Sequence, residues 1–118
     1  MCSRVLWTSE GQPILVGRNW DWTDVVVTEL YATPRGIDRS GMPPTNPMMW
    51  KAKYANVAAV AWEKLTGGGV NEAGLSVNLL YLAESNFGER DETLKGVCCS
   101  VWAQYYLDCF ATVAEAVE

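Results

Sequence analysis

Segments typical of β-strands come first along the chain, and segments typical of helices follow them. Residues 3–8, 14–22 and 25–33 are short runs rich in β-branched and aromatic residues, which is the composition of strands. In residues 97–110 the apolar side chains recur at helical spacing instead. Because strands and helices are segregated rather than alternating, the sequence favours a layered α+β architecture over a parallel α/β sheet.

The turn signals in the first half predict how the early strands pair. The stretch SEGQP separates the first two runs, and its Gly and Pro predict a turn that makes them an antiparallel hairpin. Thr23–Asp24 predicts a second tight reversal, so that residues 2–33 would form adjacent antiparallel strands. Residues 34–50 hold four of the five prolines, which predicts a long surface loop.

The second half returns to strands before it changes to helices. Residues 53–62 and 69–82 predict further strands, and the NEAG stretch predicts a turn in which Gly74 takes a positive φ. TVAE at residues 112–115 has the pattern of a helix capping box. Since that helix is interrupted at Glu118, we predict that residues 1–118 are the N-terminal portion of one longer domain, truncated within a helix.

Charge and hydropathy exclude several classes of function. The net charge is −5 and the nine Lys and Arg residues are scattered, so the sequence predicts no nucleic-acid partner and no anionic membrane surface. No apolar run approaches the roughly 18 residues of a membrane-spanning helix. The first residues lack a secretory signal, which predicts a cytoplasmic protein, or a periplasmic one if a presequence is missing from the sequence.

The chain contains no histidine, which excludes Ser-His-Asp triads, Cys-His pairs and HExxH zinc sites built from this chain alone. The cysteines, at positions 2, 98, 99 and 109, show no CxxC spacing. We therefore expect no metal and no cofactor. Cys98, Cys99 and Cys109 are expected to be reduced thiols that pack within the helical segment, since free cysteine is often buried.

Cys2 directly follows the initiator methionine. Removal of Met1 would give Cys2 a free α-amine with a reference pKa of about 7.7–8.0, beside a thiol with a reference pKa of about 8.5. An N-terminal amine can act as the base for the nucleophile on its own residue, without any histidine. The alternative is that Cys2 is an ordinary small residue that leads into a strand.

Two charged residues, Arg18 and Asp21, interrupt a run that is otherwise suited to a core. An arginine near Cys2 would favour the thiolate and lower its pKa, and an aspartate near the α-amine would orient it. Strict strand alternation places the two residues on opposite faces unless a bulge intervenes. A structural ion pair, or two solvated charges, is the alternative interpretation.

Four stretches in order, MCSRVLW, GRNWDW, GVNEAGLSVNLLYLAES and WAQYYLDCFATVAEAV, resemble the linear-amide hydrolases that include penicillin V acylases and bile salt (choloylglycine) hydrolases. The resemblance runs from residue 2 to residue 117, and is strongest to the branch described from Gram-negative bacteria. It implies the N-terminal-nucleophile (Ntn) hydrolase fold, an αββα layered sandwich, of which this chain would hold the N-terminal part.

The resemblance also implies roles for individual residues. Cys2 would be the nucleophile once Met1 is removed, with its α-amine as the proton shuttle. Arg18 would lie beside the thiolate, and Asp21 would bond the α-amine. Trp22 would line the substrate pocket. Tyr81 would supply a backbone N–H to the oxyanion hole and direct its side chain to the acyl pocket.

The activity implied is hydrolysis of linear, non-peptide C–N amide bonds, as in penicillin V acylase, on phenoxyacyl or acyl-homoserine-lactone amides. The aromatic residue at position 81 resembles the penicillin-acylase side of the family, whereas asparagine there tends towards bile salts. A bile salt hydrolase is one alternative, and an inactive fragment or paralogue is another. The family also implies a homotetramer, and a catalytic asparagine and arginine beyond residue 118, so residues 1–118 alone are expected to be inactive. Asn71 matches a family motif, but we interpret it as a turn residue.

Overall fold

The computed structural model describes residues 2–118 and places strands before helices, as the sequence predicts. The described elements, in chain order, are β1 (Ser3–Trp7), β2 (Leu15–Asn19), β3 (Thr28–Thr33), β4 (Asp38–Ser40), β5 (Met49–Lys51), β6 (Asn56–Ala61), β7 (Leu65–Asn71), β8 (Ser76–Asn78), α1 (Cys99–Cys109) and α2 (Val113–Val117).

The largest sheet has four antiparallel strands in the order β3-β6-β7-β8, and α1 packs on one face of it, mainly against β7. Leu107 of α1 is fully buried there. A Cβ at Gly69 of β7 would lie 2.9 Å from the Leu107 Cδ1 and 2.5 Å from the Val57 carbonyl oxygen. The close approach of helix and sheet therefore requires glycine at position 69.

The first two strands form the predicted hairpin, with β1 and β2 paired from Ser3–Asn19 to Trp7–Leu15. The prediction that all of residues 2–33 form adjacent strands is wrong, because β3 pairs with β6 in the other sheet. Thr23–Asp24 is accordingly not a hairpin turn. The physical reason is that β6 offers β3 a continuous partner over six residue pairs, whereas local turn signals cannot show a partner so distant in sequence.

The predicted loop at residues 34–50 is also wrong in part, because it contains β4 and the beginning of β5, which pair with each other. The Met48 amide donates to the Gly96 carbonyl at 2.9 Å, so this hairpin is joined to the segment that leads into α1. Pro43, Pro44 and Pro47 lie between the two strands and Pro34 precedes β4, so no proline interrupts a β4–β5 pair.

The NEAG turn and the helices predicted in the second half are confirmed, whereas β7 begins at Leu65 rather than at residue 69 and β8 ends at Asn78 rather than at residue 82. Gly74 has a φ of +89° in the turn between β7 and β8, and α1 lies within the predicted helical segment. At α2 the Thr112 Oγ1 accepts from the Glu115 amide at 3.2 Å. The Glu115 carboxylate accepts from the amide of Ala111 at 2.8 Å, one residue before the N-cap Thr112, so the motif is a variant of the capping box, in which the N-cap amide itself would be the donor.

A buried polar cluster joins α1 to the sheets. Asp108 is fully buried, and its carboxylate accepts from Trp50 Nε1 at 2.8 Å, Asn56 Nδ2 at 2.9 Å and Gln104 Nε2 at 2.8 Å. The Arg39 Nε lies 3.4 Å from the Asp108 Oδ2. We call these five residues the Asp108 network. It links α1 to β4, β5 and β6, and no sequence pattern singled it out.

Candidate active site

Cys2 lies just before β1, is half-buried, and opens into a cleft of about 530 Å³, which we call the Cys2 cleft. Most of its lining is apolar or aromatic: Arg18, Trp20, Trp22, Trp62, Leu65, Leu79, Leu80, Tyr81, Leu82, Ala83, Ser85, Phe87, Cys99 and Trp102. A larger cleft of about 840 Å³ lies between the hairpin and the four-stranded sheet, among residues such as Leu6 and Val57. Volume alone would favour the larger cleft as the active site, but the smaller cleft holds the predicted nucleophile, Cys2.

Arg18, in β2, connects the hairpin to the segment that follows β8. Its Nη2 donates to the Leu79 carbonyl oxygen, and its guanidinium carbon lies 4.7 Å from the centroid of the Trp20 ring. The Nε of Arg18 is buried and has no hydrogen-bond partner within residues 2–118. The structure thus brings Arg18 to the same cleft as Cys2, as the resemblance implies.

Asp21 follows the end of β2 at Asn19, so strand alternation does not decide where its side chain points. Its main chain lies beside the nucleophile, with the Cys2 Sγ 4.0 Å from the Asp21 carbonyl oxygen, a long contact even for sulfur. The predicted bond between the Asp21 carboxylate and a free Cys2 α-amine depends on removal of Met1, which lies outside the described residues.

The surroundings of Cys2 favour its thiolate. The Asp21 backbone amide is the largest influence that lowers the pKa of the Cys2 thiol, followed by the Tyr81 backbone amide and the positive charge of Arg18, while partial burial opposes them. Amide donors stabilise the charged sulfur by hydrogen bonding. The carbonyl contact of Asp21 favours the neutral thiol, but the net shift of the pKa is downward. Main-chain amides therefore contribute more than the arginine does.

Trp22 and Tyr81 form one aromatic wall of the Cys2 cleft. Their rings meet edge to face, with centroids 5.1 Å apart and planes at 86°, a favoured aromatic geometry. The Tyr81 backbone amide also lowers the pKa of the Cys2 thiol. Cys2, Arg18, Trp22 and Tyr81 thus border one cavity, and the main chain of Asp21 lies beside Cys2.

Sequence reasoning missed several residues of the cleft. Cys99 was expected to pack within the helix, but it is exposed and lines the Cys2 cleft. Cys99 lies on the same helical face as Ala103 and Leu107. However, it is the first residue of α1, and at that end of the helix the face borders the cleft rather than the sheet. Trp62 and Trp102 also line the cleft, and helical or strand spacing alone gives no signal for this.

Asn71 has the structural role that we predicted. Its side chain is buried, and the Nδ2 donates to the carbonyls of Leu107 at 3.0 Å and Phe110 at 2.7 Å. Its Oδ1 accepts from the amides of Ala73 and Leu75 at 3.1 and 3.0 Å. Asn71 therefore fixes the β7–β8 turn and satisfies carbonyls at the C-terminus of α1.

Two further observations concern residues 2–118 as a whole. Within this range, no three or more Cys, Asp or Glu side chains are grouped so as to hold a metal ion. Neither of the described helices is long and apolar enough to cross a membrane.

Comparison with known proteins places this geometry in a family. The family model for linear amide C–N hydrolases, choloylglycine hydrolase family, matches residues 2–118. Penicillin V acylase of Pectobacterium atrosepticum is 38% identical over 126 aligned residues, which cover 99% of this chain and 34% of that protein. The structure of penicillin V acylase from Agrobacterium tumefaciens matches with a TM-score of 0.92 and 40% identity, over 99% of this chain and 37% of that one.

The chain belongs to the choloylglycine hydrolase family of linear amide C–N hydrolases. It spans about a third of the length of these two relatives. The α+β prediction is confirmed, because the structure matches the Ntn-hydrolase fold of penicillin V acylase over the aligned part, with the four-stranded sheet and α1 as one β layer and one α layer.

Proposed function

We propose that the protein hydrolyses linear, non-peptide C–N amide bonds, with Cys2 as the N-terminal nucleophile after removal of Met1. The observation that carries the proposal is a half-buried thiol with a lowered pKa, held beside main-chain amides in an aromatic cleft. Membership of the family supports it. Because the chain spans about a third of its relatives, the proposal concerns the full-length enzyme, and residues 1–118 alone are expected to be inactive.

The proposed chemistry begins with attack of the Cys2 thiolate on the carbonyl carbon of the amide. The resulting tetrahedral oxyanion accepts a hydrogen bond from the Tyr81 amide, and the amine leaves with a proton from the α-ammonium group of Cys2. Water then attacks the thioester, which releases the carboxylic acid and restores the thiol. Loss of one oxyanion donor typically reduces turnover by about 10²–10³, so the position of Tyr81 is important even though its donor is backbone.

We propose that Arg18 and Asp21 prepare Cys2 for nucleophilic attack, Arg18 through the thiol and Asp21 through the α-amine. Arg18 places positive charge in the same cleft as the thiolate. The Asp21 carboxylate would orient the α-amine and stabilise its protonated form. In the full-length enzyme, Asp21→Asn is expected to reduce turnover by about 10²–10⁴, whereas alkylation of Cys2 by iodoacetamide persists because the thiol itself is unchanged.

The proposed substrates are phenoxyacyl or acyl-homoserine-lactone amides, as in a penicillin V acylase. The support for this choice is the wall of Trp22 and Tyr81, which offers aromatic faces and edges to an apolar acyl group. The alternative is a bile salt hydrolase, which the family also includes. A homotetramer, and a cytoplasmic or presequence-directed periplasmic location, remain predictions.

The experiment compares full-length enzyme with its Cys2→Ala variant on penicillin V, an acyl-homoserine lactone and glycocholate, with release of the amine as the readout. Cys109→Ala is the matched control, because Cys109 lies at the far end of α1 from the cleft. Cys2→Ala should abolish turnover of every substrate. It should also abolish formation of the thioester intermediate, which intact mass detects, whereas Cys109→Ala should retain both.

Three outcomes would contradict parts of the proposal. Active enzyme that retains Met1 would exclude the N-terminal nucleophile. Turnover by Cys2→Ala at the wild-type rate would exclude Cys2. Faster hydrolysis of glycocholate than of penicillin V or the lactone would leave the nucleophile intact but favour the bile salt alternative.

A further inference from the structure

Two adjacent cysteines, Cys98 and Cys99, lie at the start of α1, and neither has a role in the proposed hydrolysis. Cys98 directly precedes the helix and Cys99 is its first residue. Both are free thiols, Cys98 half-buried and Cys99 exposed. Cys99 lines the Cys2 cleft together with Trp62 and Trp102, so a ligand on this pair would occupy part of the cleft wall.

Helix capping does not explain the cysteine at position 98. Cys98 is the N-cap residue of α1, with φ −68° and ψ 145°, and its side chain makes no cap hydrogen bond. Serine, threonine, aspartate and asparagine are preferred at this position, because their side chains accept a hydrogen bond from the first turn of the helix. The thiol at this position therefore contributes nothing to capping α1.

The two thiols interact with each other. The Ser100 hydroxyl and amide lower the pKa of Cys98, and Cys99 lowers it further. Burial raises the pKa of Cys99, and the neighbouring Cys98 raises it again. Of the two thiols, Cys98 is therefore the one that loses its proton first, at a helix N-terminus that favours negative charge.

We propose that Cys98 and Cys99 form a two-thiol site for monosubstituted trivalent arsenic compounds, on the wall of the Cys2 cleft. Thiolates are the preferred ligands of soft, thiophilic centres. Structural zinc requires four ligands, and no group of three or more potential metal ligands is found among residues 2–118. An arsenic atom that already carries one organic group needs only two thiolates, which matches the number present.

The binding step changes no oxidation state. Each cysteine sulfur forms one S–As bond, and the arsenic–oxygen bonds of the reagent break. The two thiol protons leave with that oxygen as water. The product is a ring closed through the peptide bond between Cys98 and Cys99, so the second S–As bond forms intramolecularly. Linking two binding events in this way raises affinity by about 10²–10⁴ over either alone.

The test uses phenylarsine oxide and full-length protein that carries Cys2→Ser, with intact mass as the first readout. One phenylarsenic unit should replace two thiol hydrogens, and a dithiol but not a monothiol should remove it. Cys98→Ser and Cys99→Ser, each in the same background, should weaken binding by about 10²–10⁴. Cys109→Ser is the matched control and should bind as before. Serine is a good N-cap, so Cys98→Ser is expected to fold.

Two outcomes would overturn the proposal. Binding that is lost in Cys2→Ser itself would assign the arsenical to Cys2 and Cys99 instead. Equal binding by Cys98→Ser and its parent would show that the pair is not used. The cleft placement has its own readout, because phenylarsine oxide should slow iodoacetamide labelling of Cys2 in otherwise wild-type protein and not in Cys98→Ser/Cys99→Ser. Neither readout measures hydrolysis, so both stand if the proposed enzymatic activity fails.

Discussion

The Asp108 network and the Cys2 cleft both combine an arginine, aromatic rings and an ionisable group, but they hold that group in opposite ways. The Asp108 carboxylate is fully buried and accepts from three side chains. The Cys2 sulfur is half-buried, and the main-chain amides of Asp21 and Tyr81 lower its pKa, the Asp21 amide being the largest influence. Side-chain donors thus occupy the oxygens of the Asp108 carboxylate. Backbone groups surround the Cys2 sulfur and leave one side of it open to the cleft.

The difference separates stability from reactivity. A carboxylate without solvent access, whose oxygens are occupied by donors, has no capacity left for a substrate, and its loss would leave several buried donors unpaired. A sulfur in a cleft can be approached by a ligand. We therefore expect changes to the Asp108 network to appear in unfolding, and changes to the Cys2 cleft to appear in thiol chemistry.

The largest expected effect is on the network. In the full-length protein, Asp108→Ala should lower the free energy of unfolding by about 3–5 kcal/mol, because it leaves the Arg39 charge partly buried and unpaired. Urea denaturation measures this. Asp38→Ala is the matched control, since Asp38 is 76% exposed and its ion pair with Lys51 lies on the surface. The control should lose less than about 1 kcal/mol. Equal losses in the two variants would show that the network is not a special source of stability.

The second prediction contrasts two cysteines. Burial raises the pKa of Cys109 to about 11, whereas the pKa of Cys2 is lowered. Since the thiolate is the reactive form, Cys109 in the native protein should react with iodoacetamide at neutral pH roughly 10²-fold more slowly than a free thiol with the reference pKa of about 8.5. Cys2 should react faster than that free thiol. Peptide mapping after timed labelling checks both rates, and comparable labelling of the two residues would contradict the prediction.

The third prediction isolates the charge of Arg18. Because the pKa of Cys2 is lowered, its thiolate persists to lower pH than that of a free thiol. The pH at which Cys2 is labelled at half its maximal rate, the midpoint, should therefore lie below about 8.5. Arg18→Ala should move that midpoint upward but leave it below that of a free thiol, because the Asp21 and Tyr81 amides remain and contribute more.

Arg4→Ala is the matched control for Arg18, because Arg4 is its partner across the β1–β2 hairpin. Both arginines line the larger cleft, but only Arg18 also lines the Cys2 cleft. Its labelling profile should equal that of the wild type. If Arg18→Ala also leaves the profile unmoved, Arg18 serves only to connect the hairpin to Leu79.

The sequence predicted those features that depend on neighbours in the chain. The β1–β2 hairpin, the positive φ of Gly74, the extent of α1 and the capping box at Thr112 all follow from local patterns. The pairing of β3 with β6 and the burial of Arg39 with Asp108 depend on distant partners, and no periodicity encodes them.

The candidate site follows the same rule. Cys2, Arg18 and Asp21 were found because their residue types are unusual where they occur, and the family resemblance added Trp22 and Tyr81. The helix-packing interpretation failed for Cys99, because spacing places a residue on a helical face but does not show what lies beside the first turn.

The smallest expected effect tests whether the cleft side of the sheet stores backbone strain. Trp62 and Glu63, in the turn between β6 and β7, have φ values of 49° and 61°, and the Lys64 amide donates to the Ala61 carbonyl at 3.1 Å. A left-handed backbone conformation costs an L-residue about 1–2 kcal/mol, which glycine avoids. Glycine in turn loses roughly 0.5–1 kcal/mol more conformational entropy on folding. Glu63→Gly should therefore stabilise the protein by about 0.5–1 kcal/mol in urea denaturation.

Lys64→Gly provides the control, since Lys64 is not among the described non-glycine residues with positive φ, and it should be neutral or destabilising. Because Trp62 lines the Cys2 cleft and Glu63 does not, Glu63→Gly should leave the labelling rate of Cys2 unchanged. A gain in stability that also slows labelling would show that the strained turn helps to hold the cleft open, and that stability and reactivity are coupled there rather than separate.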